Sequence, residues 1–228
     1  MPTQLALPGF DLSPPPLHTL YLALLPDRAA AARIGPLART LHAELGLPGR
    51  PRAPACPHVS LFGLRLAAPP PAALVAAFSE AAAGIAVAPV ELELDRVMTF
   101  RGPSGRLPVV LCGESAVAAL RPLHAALAAR LERLGLVRRR GLSPHLTPLH
   151  APRPLPRRTV AAIAWRVGGL VLVHGHGRDY RHDLLGRWPL GGAQAGVGIT
   201  SQSSRGRARK ARRVEPRTMP ATSSGAVW

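Results

Sequence analysis

The chain has 228 residues, 47% of them hydrophobic, and a net charge of +17. This length suits one domain or two small lobes on a shared core, and the apolar content excludes low-hydrophobicity disorder for the body of the chain. No apolar run reaches the roughly 18 residues of a membrane helix, Met1 to Pro16 lacks the pattern of a signal peptide, and Cys56 and Cys112 are too few for a disulfide framework. A cytoplasmic monomer with no membrane partner is the expectation. The charge invites a polyanionic partner, although 28 of the 29 basic residues are Arg, as a GC-rich genome would also produce.

Residues 1–17 read as a flexible extension. His18–Leu25 is an apolar run of strand length, and Pro26-Asp27 signals a turn and a helix start. Ala29 to Leu45 reads as a helix with Ile34, Leu37, Leu41 and Leu45 on one face, kinked or divided by Pro36. It stops at Leu45-Gly46-Leu47. A loop with Arg50 and Arg52 leads to Pro57-His58-Val59-Ser60-Leu61. Pro70–Gly84 is a second expected helix and Val87–Arg101 a strand.

The same order then recurs. Leu107–Cys112 is a short strand, and Ser115 is placed to cap a helix running to Leu134, with Leu120, Leu123, Leu127, Leu131 and Leu134 on its apolar face. Leu134-Gly135-Leu136 stops it, Arg138, Arg139 and Arg140 follow, and Pro144-His145-Leu146-Thr147-Pro148 completes the copy. Leu155–Ala164 is an expected helix, and Arg166–His174 and Asp179–Leu190 are expected strands. The two Leu-Gly-Leu stops stand 89 residues apart and the two histidines 87. The expected fold is α+β: a bilobal domain over 18–190, built of duplicated β-α-β-α-β units (lobes about 18–103 and 104–190) with largely antiparallel sheets around a central cleft. Residues 191–228 hold seven basic residues and one acid, Glu215, with no hydrophobic periodicity, and read as a disordered basic tail.

Residues two apart in a strand share a face, so His58 pairs with Ser60 and His145 with Thr147. Each half thus presents an imidazole beside a hydroxyl. A neutral imidazole takes a proton from water and a protonated one gives a proton to a leaving oxygen, while the hydroxyls donate to phosphate oxygens. This chemistry suits a phosphoester at a ribose and requires no metal or other cofactor. One such motif is weak; two in matching places of a repeat are not.

On these residues the chain resembles the 2H phosphoesterase superfamily, and within it the RNA 2′,3′-cyclic phosphodiesterases, also called 2′-5′ RNA ligases. The segments carrying the resemblance are LYLALLPD (Leu20–Asp27), PHVSLFGL (Pro57–Leu64), LDRVMTFRGP (Leu94–Pro103), PHLTPLH (Pro144–His150) and YRHDLLGRWPL (Tyr180–Leu190). The resemblance implies opening of a 2′,3′-cyclic phosphate at an RNA end to a 2′-phosphomonoester. It implies His58 as proton donor, His145 as proton acceptor, and Ser60 and Thr147 as phosphate-binding residues. It also implies reversible 2′-5′ ligation as the same chemistry run backwards. Ser60 stands where many members have Thr, and Pro148 where an apolar strand residue is usual, which points to an edge or strand end there. The alternatives are a 2H enzyme for another cyclic or 2′-phospho nucleotide, and a non-catalytic RNA- or nucleotide-binding module.

Other features have plainer readings. Zinc on Cys56 and His58 lacks further ligands at sensible spacing. His174-Gly175-His176 invites a metal reading, but after the apolar run Gly169–Val173 it reads as a Gly-rich turn, and Cys112 reads as a small buried hydrophobe. His18, His42 and His124 read as surface or helix residues, and His150 as a neighbour of the cleft mouth. The two Arg loops suit a cleft rim that attracts RNA phosphates. Phe62, Phe100, Tyr180 and Trp188 are the candidates for base stacking, Phe62 foremost by alternation.

Overall fold

A computed structural model describes residues 18–49, 56–101, 107–136, 141–177 and 181–191. The N-terminal extension, Arg50, Arg52, Arg138–Arg140, Tyr180 and the basic tail beyond 191 lie outside the described residues. The elements in order are β1 (His18–Leu24), α1 (Arg28–Glu44), β2 (Val59–Leu66), α2 (Ala72–Ala83), β3 (Val90–Thr99), β4 (Leu107–Cys112), α3 (Glu114–Arg133), β5 (His145–Ala151), β6 (Arg158–Val167), β7 (Gly169–His176) and β8 (Arg181–Pro189). Among the described residues no helix is long and apolar enough to cross a membrane.

Both long helices end in the same way. His42 C=O accepts from Leu47 N–H and Ala43 C=O from Gly46 N–H; Leu131 C=O accepts from Leu136 N–H and Glu132 C=O from Gly135 N–H. Gly46 and Gly135 have φ of 61° and 67°, where a Cβ is penalised. These are paired Schellman stops, and they explain the two Leu-Gly-Leu triplets. Asp27 caps α1 by accepting from Ala30 N–H at 2.8 Å. Pro36 lies inside an undivided α1, so it does not split the helix. Ser115 does not cap α3: the cap position is Gly113, and Ser115 falls within the first turn.

The strands form two antiparallel four-stranded sheets, ordered β2-β1-β7-β8 and β5-β4-β3-β6. Each motif strand is an edge strand beside the first strand of its own repeat. The third strands are exchanged: β3, from the first half, pairs with β4, and β7, from the second half, pairs with β1. The sheets therefore do not divide the chain at 103/104, because each takes strands from both halves. The expected second helix of the second repeat is absent too. Leu155–Ala164 mostly becomes β6, with Ile163, Trp165 and Val167 buried alternately. An irregularity opposite Leu94–Arg96 breaks the two-residue period that marks a strand.

One core joins Leu20, Leu22 and Leu24 of β1, Leu92 and Leu94 of β3, Leu111 of β4 and Ile163 of β6 with Ile34, Leu41, Phe78, Leu120, Leu123 and Leu127 of the helices. Helix α2 packs on α3 and on β1, β7 and β8, α3 lies along β3, and α1 packs against β5 and β6. A smaller apolar cluster, Tyr21, Ala23, Val171 and Val173, covers the opposite face of the first sheet.

Candidate active site

The two motif strands touch each other, and His145 lies close enough to His58 that its charge disfavours charge on His58. The two imidazoles are held alike. His58 Nδ1 lies 2.8 Å from the Cys56 carbonyl oxygen, and His145 Nδ1 lies 2.8 Å from that of Ser143. A carbonyl only accepts, so each Nδ1 donates as N–H and each Nε2 is left for chemistry. A main-chain acceptor two residues upstream therefore fixes both tautomer and ring direction.

A matching bulge follows each motif. Leu22 pairs with Phe62 but Ala23 with Ser60, so Leu61 is an extra residue in β2. Val109 pairs with Leu149 and Leu111 with Leu146, which leaves one extra residue in β5 where Thr147 and Pro148 face Val110. Pro148 thus stands where Leu61 does, on an edge strand and at a bulge, a place that needs no ladder N–H. The bulge also reverses the alternation after Ser60. Phe62 consequently faces the core, buried and stacked on the buried His124 of α3 at 4.5 Å, and is not a cleft residue. Trp188 is likewise buried in the core.

The surroundings of the two histidines differ. Tyr21 stacks on His58 with ring centroids 4.8 Å apart, and His182 lies 6.0 Å from His58. Burial lowers the His58 pKa from its ordinary value. The hydrogen bond to the Cys56 carbonyl works the other way, and charge on His182 or His145 lowers it further. Burial also lowers His182 and pushes the Tyr21 phenol well up, so that Tyr21 stays protonated. Beside His145 stands Phe100, edge-on at 4.9 Å. Burial raises the thiols of Cys56 and Cys112 above their usual value, which keeps them protonated and poor as nucleophiles or metal ligands.

Tyr21 and His182 were not singled out by sequence. The signal was there for Tyr21: it alternates with Leu20 and Leu22 and so faces away from the main core. His182 pairs with Gly175, which pairs with Thr19, and so falls on that same face. His150 is exposed near the end of β5. His18 lies on β1 and His174-Gly175-His176 closes β7 as a strand and not a turn.

The profile of the 2′-5′ RNA ligase superfamily matches residues 25–179, more than half the chain. No curated protein sequence matches. Among solved structures, LigT of E. coli complexed with 3′-AMP is 24% identical over 78% of this chain and 99% of its own, with a TM-score of 0.58. A structure described as a phosphoesterase is 22% identical over 76% and 98%, also at 0.58. TT0787 of Thermus thermophilus is 17% identical over 77% and 100%, at 0.54. These likenesses show a shared fold of two four-stranded antiparallel sheets with three helices. Together with the profile match, they establish that the chain belongs to the 2′-5′ RNA ligase superfamily, the 2H phosphoesterases.

Proposed function

We propose that the chain hydrolyses RNA ends carrying a 2′,3′-cyclic phosphate to 2′-phosphomonoesters. The observation that carries this reading is the pair of imidazoles with Nδ1 tied to a carbonyl and Nε2 free, each two residues before a hydroxyl. Water attacks phosphorus and passes its proton to His145 Nε2. The bond from phosphorus to the 3′-oxygen breaks, and His58 Nε2 protonates that oxygen. Ser60 and Thr147 hydroxyls donate to the non-bridging oxygens as charge builds on them.

Burial disfavours the imidazolium form of His58 and makes it a stronger acid than an exposed histidine. The negative charge of a bound phosphodiester offsets that lowering and favours the protonated form when substrate is present. Among solved relatives, LigT complexes with 3′-AMP and with phosphate are consistent with a nucleotide phosphate as the ligand. Residues 18–190 form the catalytic domain in this reading.

The test is turnover of an RNA oligomer ending in 2′,3′-cyclic phosphate, with identification of the product phosphate. A 2′-phosphate product that disappears with His58→Ala or His145→Ala is expected. A 3′-phosphate product, or none, sinks the reading.

A further inference from the structure

The first sheet carries a second group of histidines that the chemistry above does not use. His18, His174 and His176 each offer a ring nitrogen, all within 4.8 Å of one another. His18 Nδ1 and His174 Nε2 are 2.9 Å apart, and the His174 and His176 rings are 4.0 Å apart between centroids. His18 pairs with His176 across the β1–β7 ladder, and Leu20 pairs with His174. Directly paired residues share a face, so all three lie on the Leu20, Leu22 and Leu24 side of the sheet, beyond the end of the core. Tyr21, His182 and His58 are on the other side. The sheet itself separates this cluster from the cleft.

Its surroundings are those of a ligand set. His176 Nε2 lies 2.8 Å from Asp183 Oδ2 on β8. A carboxylate accepts, so Nε2 carries the proton and Nδ1 is left for a ligand, the arrangement in which an outer carboxylate orients a metal-binding imidazole. Arg181 Nη2 is 2.9 Å from that same Nε2, 3.4 Å from His176 Nδ1 and 3.2 Å from Asp183 Oδ2, so an ion on Nδ1 requires the guanidinium to move off the ring. Since Nε2–H already donates, the guanidinium belongs on the carboxylate. Tetrahedral zinc with bonds of about 2.0–2.1 Å to nitrogen needs nitrogens about 3.3 Å apart, a spacing between the 2.9 Å of the His18–His174 pair and the 4.8 Å within which all three lie. His174 is also nearly buried, with 9% of its surface exposed.

We propose that His18, His174 and His176 bind one divalent transition-metal ion, zinc by the donor type, with Asp183 orienting His176 and water completing the coordination. The ion would bridge β1 to β7, whose ligands His18 and His174 stand 156 residues apart, and clamp the first strand to the last hairpin. Its role is structural, and phosphoester turnover proceeds without it.

The test uses the full chain freed of metal by chelator. Zinc titration is followed by calorimetry and thermal unfolding, and cobalt titration by visible absorption. One equivalent of zinc that raises Tm, and cobalt bands typical of four-coordination, are expected. His174→Gln and His176→Gln should abolish both, and Asp183→Asn should weaken zinc about 10–100-fold. His18→Gln, at the half-buried start of β1, serves where a β7 variant fails to fold. His58→Ala and His145→Ala should bind zinc as the parent does. Absence of stoichiometric zinc binding overturns the proposal. So does binding that survives His18→Gln and His176→Gln, or that is lost with His58→Ala.

Discussion

The β1-α1-β2 and β4-α3-β5 units agree in almost every device that holds a histidine and differ in what surrounds it. Both have a Schellman stop, a carbonyl on Nδ1 and a bulge after the hydroxyl. Their registers align residue for residue: Leu24 opposite Val59 matches Leu111 opposite Leu146, so Tyr21 matches Pro108 and Gly63 matches His150. In the first sheet the aromatic comes from the middle strand, where Tyr21 lies flat on His58 with Val173 beside it. In the second sheet Pro108 takes that place, and the aromatic comes from the neighbouring chain segment, where Phe100 N–H donates to Pro108 C=O and the ring meets His145 edge-on. A flat ring and a nearby third imidazole strip water and oppose charge at His58. The duplication therefore preserved the anchoring of the two imidazoles while their environments diverged, and the divergence disfavours charge on His58.

The largest effects should come from breaking the shared part. His58→Ala and His145→Ala should each lower turnover of the cyclic phosphate about 10²–10⁴-fold. If they act as one unit, the double variant loses less than the product of the singles. A single variant with near-parental kcat would remove that histidine from the mechanism. Next come the hydroxyls: Ser60→Ala and Thr147→Ala should each cost about 10²–10³-fold in kcat, by analogy with removal of one transition-state donor. Thr147→Ser and Ser60→Thr should restore most of it. Equal losses in the rescue variants would assign these residues to packing.

A pH profile sharpens the difference between the halves. The rate should be bell-shaped, with one limb below the ordinary histidine value of about 6.5, because the lowered His58 pKa shifts its titration to lower pH. His182→Gln removes one of the charges that lowers His58, so that limb should move up toward 6.5. Chelator should leave the whole profile in place. If His182→Gln moves the other limb, the perturbed group is not His58.

The duplication itself was legible in sequence because its marks are local. The Gly46 and Gly135 stops, the Asp27 cap and the two Pro-His dipeptides each act within a few residues. The exchange of β3 and β7 was not legible, because antiparallel pairing over such separations leaves no local trace. The bulges were the second source of error. Each inserts one residue into an alternating strand, and a period-two reading carried past it puts Phe62 in the cleft when it belongs to the core. A comparable irregularity in β6, opposite Leu94–Arg96, hid that strand. Alternation does hold ahead of the bulge, where His58 directly precedes β2 and Ser60 lies within it, and His145 and Thr147 both lie in β5, whereas His182 needed the register across three strands.

The smallest expected effect isolates the aromatic itself. Gly63 faces Tyr21 across the β1–β2 ladder, and a Cβ there would lie 2.8 Å from Tyr21 Cβ and 3.4 Å from the Leu20 carbonyl oxygen. A Cβ cannot swing away as a side-chain tip does, so Gly63→Ala forces the edge strand or the Tyr21 ring to shift. Overpacking of this kind costs about 1–3 kcal/mol. The ring shift should also open His58 to water. Burial is the largest cause of its lowered pKa, so the low limb of the pH profile should rise as it does in His182→Gln. His150→Ala, at the matched position of the second sheet, adds no atom next to Pro108 and should leave that limb where it is. Denaturant midpoints and pH profiles of the two variants decide the matter. A Gly63→Ala protein that is less stable but keeps the parental limb would show that Tyr21 is not what keeps His58 dry, and the contrast between the two halves would then rest on His182 alone.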